Sequence, residues 1–598
     1  MLSLKNGAQI LQPGDALPPL PKAPAEAFID VETTGLSPWK GDRVCGIGAT
    51  WDDSKKVYYL PVRHRDASAN LAPEPAFLWT RELVRRAGRV VNHNVKFDMH
   101  FLARDGVDNW TSVVDTLTAA KLIDSDRFKY DLTSLAKDWL NADISWAEKR
   151  VSGFLGSVRD KAKNYSWLPA DVLGEYCCLD VSVTRDLYRC IGRRLPEECR
   201  DVYDTERLLT PVLYDIEENG LRVDVEELQK KRLECLYRLL RLEEKISDIV
   251  GGPMRPHTNE DCFDVLCNRY GLPVLGRTEK GDPSFDQEAL ARYFYYVRHD
   301  PKLTGLIDKI LAYRKIHTFN GLFVEQYLKL QVDGLLHPEY NQSVRTGRLA
   351  CHTPNAQQIS TEAKALIHAP AGRRFLSYDY SQIEFRIIVH YIQNEEAIRA
   401  YLENPDTDFH QWVADLCHIS RRPAKNVNFM MGYGGGRDLC VSMLRQEEEL
   451  AKSVNTEKGL VALAYAVYDT YHARLPELKR TSHKAAVTAR QRGYVKDAYG
   501  RRRHLRREFT WRAFNTVMQA SAADVIKDRL VAVAPRYNRE TREAGARIAA
   551  NVHDEILFDV PERFRAYGLI KRTLEAPKVA FRVPIVVKHG KKSKIWES

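Results

Sequence analysis

No stretch of the sequence is apolar for the roughly 20 residues that a membrane-crossing helix needs, so no helical membrane span is expected. The opening residues, Met1-Leu-Ser-Leu-Lys-Asn-Gly, lack the apolar core of a signal peptide, and residues 1–27 lack the Arg-rich amphipathic pattern of a transit peptide. Cysteine is present without any Cys-x-x-Cys pair. The 11 cysteines are odd in number and two of them, Cys177 and Cys178, are neighbours, which argues against both a disulfide framework and a structural zinc site. A reducing, cytoplasmic setting is expected. Charge of one sign is not in large excess either: 90 Lys and Arg against 80 Asp and Glu leave +10, which suits a polyanionic partner without requiring one.

What is there is globular. Hydrophobic residues make up 44% and charged residues 28% of the 598, a length that accommodates about four domains of ordinary size. Pro13, Pro18, Pro19, Pro21 and Pro24 mark residues 1–25 as an extended lead rather than a folded element.

Two acidic stretches stand out. In Phe375-Leu-Ser-Tyr-Asp379-Tyr-Ser-Gln382-Ile-Glu384-Phe-Arg386 an apolar run ends at Asp379, and Ile383, Ile387, Ile388 and Tyr391 then follow at helical spacing. That places a carboxylate at a strand-to-helix corner, where a plain N-cap is the alternative to a ligand. Far downstream, residues 546–558 predict two short strands joined by a tight turn carrying His553, Asp554 and Glu555. Together Asp379 and Asp554 could hold two divalent ions about 3.5–4 Å apart, the arrangement that activates an attacking hydroxyl and steadies a leaving phosphate oxygen.

Nearer the start, residues 26–32 alternate like a strand, with Asp30 and Glu32 on one face and Ile29 and Val31 on the other. Two buried acids side by side are unfavourable unless they ligate metal. Asp98 follows beside Phe97, and Tyr176 and Asp180 share a helical face at i and i+4. A helix cap for Asp98 and an ordinary half-buried ring for Tyr176 are the alternatives.

Between 225 and 250, apolar residues recur at three-, four- and seven-residue steps, predicting a long one-striped helix. In 421–434, Arg421, Lys425, Phe429 and Tyr433 repeat every four residues, so a helix would carry two cations and then two rings along one stripe. Cations suit a triphosphate; rings suit sugar and base. The run 499–507 reads as a solvated basic face or as a contact to backbone phosphates.

These motifs resemble, in type and order, those of family A DNA polymerases, the group that includes bacterial DNA polymerase I. DYSQIEFR and VHDEI are similar to that family's two acidic palm motifs, RRPAKNVNFMMGYG to its fingers helix, and the acids at 30, 32, 98 and 180 to its proofreading motifs. The resemblance implies an α/β multidomain fold: an RNase H-like 3′–5′ exonuclease domain (26–196), then a right hand with thumb (205–345), palm (346–420 and 500–598) and fingers (421–499). It implies catalytic roles for Asp379, Asp554 and Glu555 in synthesis and for Asp30, Glu32, Asp98, Asp180 and Tyr176 in proofreading. Two Mg²⁺ ions on Asp379 and Asp554, and two divalent ions on the four exonuclease acids, are implied with them.

Arg421, Lys425, Phe429, Tyr433, His410, Glu384 and Gln382 would meet the nucleotide, with Glu384 excluding a ribose 2′-oxygen. Arg348, Asn355, Gln357, Asn515, Gln519 and His553 would meet primer-template DNA, the first three from the minor groove, where acceptors are similarly placed for every base pair. The partners implied are primer-template DNA and dNTPs. A monomer is expected, working in the cytoplasm of a bacterium or a phage-infected host, with no 5′–3′ nuclease domain and no thumb insertion for a thioredoxin-type clamp. Met430, Gly432 and Trp511 depart from the common family pattern. A single-subunit RNA polymerase is disfavoured by the proofreading motifs and Glu384, and a non-catalytic DNA-binding protein by the completeness of both acid sets.

Overall fold

The structure, a computed structural model, describes residues 2–3, 7–156, 164–445, 447 and 456–597. The expected lead, exonuclease, fingers and palm spans therefore include some positions (1 and 4–6, 157–163, 446 and 448–455, and 598) that lie outside the described residues. The chain forms two compact units: one of residues 1–219, 340–350 and 376–590, the other of 220–339, 351–375 and 591–598.

Seven strands make the large sheet of the first unit, in the order Leu2–Ser3, Ala8–Ile10, Val57–Pro61, Val44–Trp51, Glu26–Thr33, Arg89–Asn92, Val113–Asp115. The strand Glu26–Thr33 is central. It pairs antiparallel with Val44–Trp51 and parallel with Arg89–Asn92, and is covered on both faces, Phe28 joining one core cluster and Ile29 and Val31 another. The helix Ala170–Arg194 lies directly on these strands. Gly48 makes that approach possible, since a Cβ there would sit 2.6 Å from Cys177 Sγ and 2.9 Å from Val181 Cγ2. The lead is more structured than its prolines predict: Ala8–Ile10 joins the sheet parallel to Val57–Pro61, and Trp79 Nε1 donates to Pro18 O at 2.7 Å. Proline spacing carries no information about a strand that lies before it.

The second sheet of this unit runs Arg547–Val552, Glu555–Pro561, Arg373–Tyr380, Val587–His589. The helix Ala513–Val533 is buried almost all round and packs on the helices Ile383–Ile392, Tyr567–Leu574 and Arg200–Asn219. Residues 205–219, expected in the thumb, thus belong to the first unit, where the helix buries Leu209, Val212, Leu213 and Ile216 and buried Glu206 accepts from Arg501 and from Lys527 Nζ (2.6 Å), while Arg501 also meets Asp524 (2.6 Å). Neighbouring helices Phe409–Cys417, Arg421–Gly432, Arg437–Arg445 and Glu457–Arg474 form a separate layer.

In the second unit, the helices Val225–Val250 and Pro301–Phe319 bury Cys235, Leu239, Ile246, Leu306 and Ile310. The helix predicted over 225–250 is present with those bounds. Residues 351–375 and 591–598, expected in the palm, group with this unit, where Phe375 and Ser593 exchange backbone hydrogen bonds. All 11 cysteines are free. No helix among the described residues is long and apolar enough to cross a membrane.

Candidate functional site

The acidic hairpin forms as predicted, with Val552 opposite Glu555 and the turn at His553 and Asp554. His553 takes a left-handed φ of 55°, a conformation that histidine tolerates better than most residues. The Asn551 side chain pins the turn by donating to the carbonyls of His553 (3.2 Å) and Glu555 (3.1 Å). Tyr340 in turn accepts from Asn551 N at 3.1 Å. The Tyr380 amide donates to Asp554 O at 3.1 Å, so Asp379, exposed at the end of its strand, is brought beside the hairpin tip. Burial raises the Asp554 carboxyl, Glu555 adds to the rise, and His553 and Arg348 oppose it.

Just past Asp379 the chain turns through Gln382, also left-handed at φ 51°. Arg386, wholly buried, fixes this corner by donating to the carbonyls of Ser381 (2.7 Å), Pro584 (2.8 Å) and Pro405 (2.6 Å). Gln382 is engaged at both ends of its amide, donating to Asp408 (3.3 Å) and accepting from Phe409 N (3.2 Å). Glu384 projects from the first turn of the helix and accepts from Tyr433 Oη at 2.9 Å and from Arg348. Residues 49 and 36 positions away in sequence therefore hold one carboxylate.

The helix Arg421–Gly432 carries the predicted stripe, although Tyr433 sits at its C-cap, one residue beyond. Arg421 and Lys425 are exposed; Phe429 and Tyr433 are half-buried. Arg421 Nε donates to Asp408 Oδ2 at 2.6 Å, a tether with no motif of its own. Phe429 lies edge-on to Phe385 at 5.4 Å and beside Tyr433 at 6.0 Å. His410 is buried against Phe385, with Asn428 Nδ2 3.1 Å from its Nδ1. Burial, with Arg421 and Lys425 nearby, lowers it to about 4 although Asp408 opposes. The ring is therefore neutral at pH 7 and can offer a hydrogen bond but no charge. Gly432 has a packing reason: a Cβ there would meet Ile388 Cδ1 at 2.8 Å.

Asn515 and Gln519 lie four apart on the helix Ala513–Val533, and Gln519 adjoins the Tyr433 phenol. Asn515 Oδ1 is buried and has no hydrogen-bond partner among the described residues. Trp511, which departs from the family pattern, is 55% exposed, with the Arg512 guanidinium 4.6 Å above its ring. Asn355 and Gln357 belong to the second unit, where Gln357 N donates to Asn355 Oδ1 at 3.0 Å. The basic run is not the solvated face that its composition suggests, because Arg501 and Arg503 are buried.

At the other acid set, Asp30, Glu32 and Cys177 present ligand atoms within 4.8 Å of one another, the one such group among the described residues. Asp379, Asp554 and Glu555 form no trio that tight. Cys177 was invisible to motif reading, yet its Sγ lies 3.7 Å from Asp30 Oδ2. Asp98 does not cap its own helix: it accepts from Val31 N at 2.9 Å and from Asn92 Nδ2, which also reaches Asp30 at 3.3 Å. Burial raises Asp30 to about 6. It also raises Asp98 and Asp180, each pushed further by the charge of Asp30, and Tyr176 contacts Asp180. Carboxylates this crowded and desolvated favour a nearby positive charge, and the oxygen-rich donor set fits a hard divalent cation.

Comparison with known proteins agrees with this geometry. The family model "DNA polymerase family A" matches residues 225–598, and that of a 3′–5′ exonuclease matches residues 20–196. DNA polymerase DpoZ of Salmonella phage PMBT28 is 29% identical over 628 residues, an alignment covering 96% of this chain and 97% of that one. DNA polymerase I of Pseudomonas aeruginosa is 27% identical over 607 residues, covering 94% of this chain and 62% of its own. Among solved structures, the POL domain of Pol1 from M. smegmatis, in complex with DNA primer-template and dNTP, superposes with a TM-score of 0.74 over 96% of both chains. Its identity of 22% makes that a likeness of fold. The chain belongs to DNA polymerase family A: it is a DNA-directed DNA polymerase that carries a 3′–5′ exonuclease domain.

Proposed function

We propose that the protein extends a primer 3′ end on a DNA template using dNTPs, and that its exonuclease domain is an active proofreader. The observation that supports this most is the meeting of Asp379 with the Asp554 hairpin beside the Arg348–Glu384–Tyr433 linkage, because it joins acids, sugar-side groups and the cationic helix in one place. In this reading Asp379 and Asp554, with Glu555 beside them, would hold two Mg²⁺ ions, and Asp30, Glu32, Asp98 and Asp180 two divalent ions, which supply charge neutralisation and a more acidic attacking oxygen. Arg421 and Lys425 bind the β- and γ-phosphates, and the Asp408 tether limits the arc through which Arg421 can swing. Neutral His410 would add a hydrogen bond to the same phosphates. Phe429 and Tyr433 cover the incoming sugar and base, while Glu384 fills the space of a 2′-hydroxyl.

Arg348, Asn515, Gln519 and His553 contact the primer-template near the growing end, with Asn355 and Gln357 in the minor groove. Tyr176 orients water at the exonuclease acids. DNA primer-template and dNTP are the ligands named for the M. smegmatis fold neighbour. Relatives from phage and bacteria support the bacterial cytoplasm, infected or not, as the place of action. The test is separability. Asp30→Ala with Glu32→Ala should abolish 3′–5′ degradation of a labelled primer and leave extension intact, and Asp379→Asn should do the reverse. Loss of both activities in either variant would refute the assignment.

A further inference from the structure

Between the exonuclease elements and the palm of the first unit lies a cavity of about 80 Å³, room for a few waters or one phosphate group. Its walls come from the helix Thr116–Ile123 with the loop after it, from residues 343–345, and from residues 501 and 503. Five lining residues are cationic (Lys121, Arg127, Arg345, Arg501 and Arg503) and none is acidic. Most of these charges are answered elsewhere: Arg127 by Asp138, Arg345 by Asp126 at 3.6 Å, and Arg501 by Glu206 and Asp524. Arg503 is not. It is 5% exposed, and among the described residues its buried Nε has no hydrogen-bond partner and its guanidinium no ion pair. Burial, with Arg501 and Arg345 nearby, lowers it to about 10 although Tyr130 and Asp524 oppose, well within the range where it stays charged at neutral pH.

A buried, charged guanidinium that faces two more cations is strongly unfavourable unless an anion completes it. Lys121 adds a second charge with no carboxylate in hydrogen-bonding reach among the described residues, only the Tyr130 ring 5.5 Å away. Burial holds its ammonium below the usual range, though Asp115 opposes this. Hydroxyls are at hand too: Ser125, within 3.3 Å of His504 Nδ1, and Ser343, which donates to Thr118 at 3.0 Å.

We infer that this cavity is a phosphate-binding site, distinct from both acid clusters, in which Arg503 and Lys121 hold one phosphate group taken from a nucleic-acid backbone or from free phosphate. It stands apart from the roles proposed above, since no acid of either cluster lines it. Guanidinium and ammonium together suit a tetrahedral oxyanion, and the Arg503 fork can engage two of its oxygens.

The test uses the full chain in EDTA, so that metal sites are silent. Two probes are titrated, inorganic phosphate by thermal shift and a labelled dT₁₂ oligonucleotide by anisotropy at several salt concentrations, against wild type, Arg503→Met and Lys121→Met. If free phosphate is the ligand, wild type shows saturable protection that Arg503→Met weakens by about tenfold or more. If the backbone is the ligand, phosphate does not protect, and Arg503→Met lowers the salt slope of oligonucleotide binding by about one. Effects with both probes mean a site open to both sources. Should Arg503→Met fail to fold, Lys121→Met, on a half-exposed helix position, must show the same changes. Wild type and folded variants behaving alike with both probes would overturn the proposal.

Discussion

Tyr433→Phe removes a single oxygen and should weaken the discrimination against ribonucleotides. In the structure that oxygen donates to Glu384 at 2.9 Å, while Arg348 holds the other carboxylate oxygen. The Glu384 side chain is only 13% exposed, so water cannot replace the lost partner freely. Burial and the adjoining carboxylate push the phenol up to about 12, so it remains a donor at every working pH. A hydrogen bond to a charged group is worth about 1.5–3 kcal/mol, and each 1.4 kcal/mol is tenfold. If swinging Glu384 aside is what admits a 2′-hydroxyl, losing this restraint lowers that barrier by the same amount. Because Arg348 still holds on, the lower end applies, and ribonucleotide use relative to deoxyribonucleotide should rise about tenfold. Single-turnover incorporation of rCTP against dCTP, in an Asp30→Ala, Glu32→Ala background, measures the ratio. Glu384→Ala should exceed it. An unchanged ratio in Tyr433→Phe together with a raised one in Glu384→Ala would refute the restraint, and no change in either would remove Glu384 from the sugar.

Phe429→Tyr should accept chain-terminating ddNTPs at least about tenfold better with dNTP use barely altered, since its hydroxyl would supply the hydrogen bond that a missing 3′-hydroxyl leaves unmade. Competitive incorporation of ddTTP against dTTP decides it, and an unchanged ratio means that Phe429 does not face the sugar. In metal-free protein the raised Asp30 favours a protonated fold, so its stabilising contribution is complete below the ordinary carboxylate range and is lost as pH rises through about 6. The thermal midpoint in EDTA should fall from pH 5 to 7.5 more steeply for wild type than for Asp30→Asn, and Mg²⁺ should flatten the fall; equal slopes would sink this account. Arg386→Met leaves the carbonyls of Ser381, Pro405 and Pro584 without this donor, at up to about 1–3 kcal/mol each where water does not reach them. A large drop in thermal midpoint is expected, and a drop of under a degree would show that water fills the gap.

Much of this was legible from sequence because the motifs are local. Asp379 at its corner, the Asp554 hairpin, the helix carrying Arg421, Lys425 and Phe429 and the helix over 225–250 each need only short-range periodicity, and each forms as the sequence predicts. What escaped depends on contacts across long separations. Cys177 enters the exonuclease acids because Gly48 lets its helix settle onto the sheet. Asp408 looks like a plain N-cap until folding puts Arg421 beside it. His410 has the chemistry of a phosphate ligand, but only packing reveals that it is buried and neutral. Glu206 gives no hint in its own helix that its partners lie 295 and 321 residues downstream.

That last separation bears on how the protein is made. A ribosome releases the exonuclease sheet and the helix Arg200–Asn219 long before residues 501–527 emerge, so during synthesis Glu206 waits without the two cations that neutralise it. Burying that carboxylate before those residues arrive is unfavourable, so it is expected to stay in water until then. An N-terminal fragment ending near residue 219 would leave Glu206 without Arg501 and Lys527 permanently.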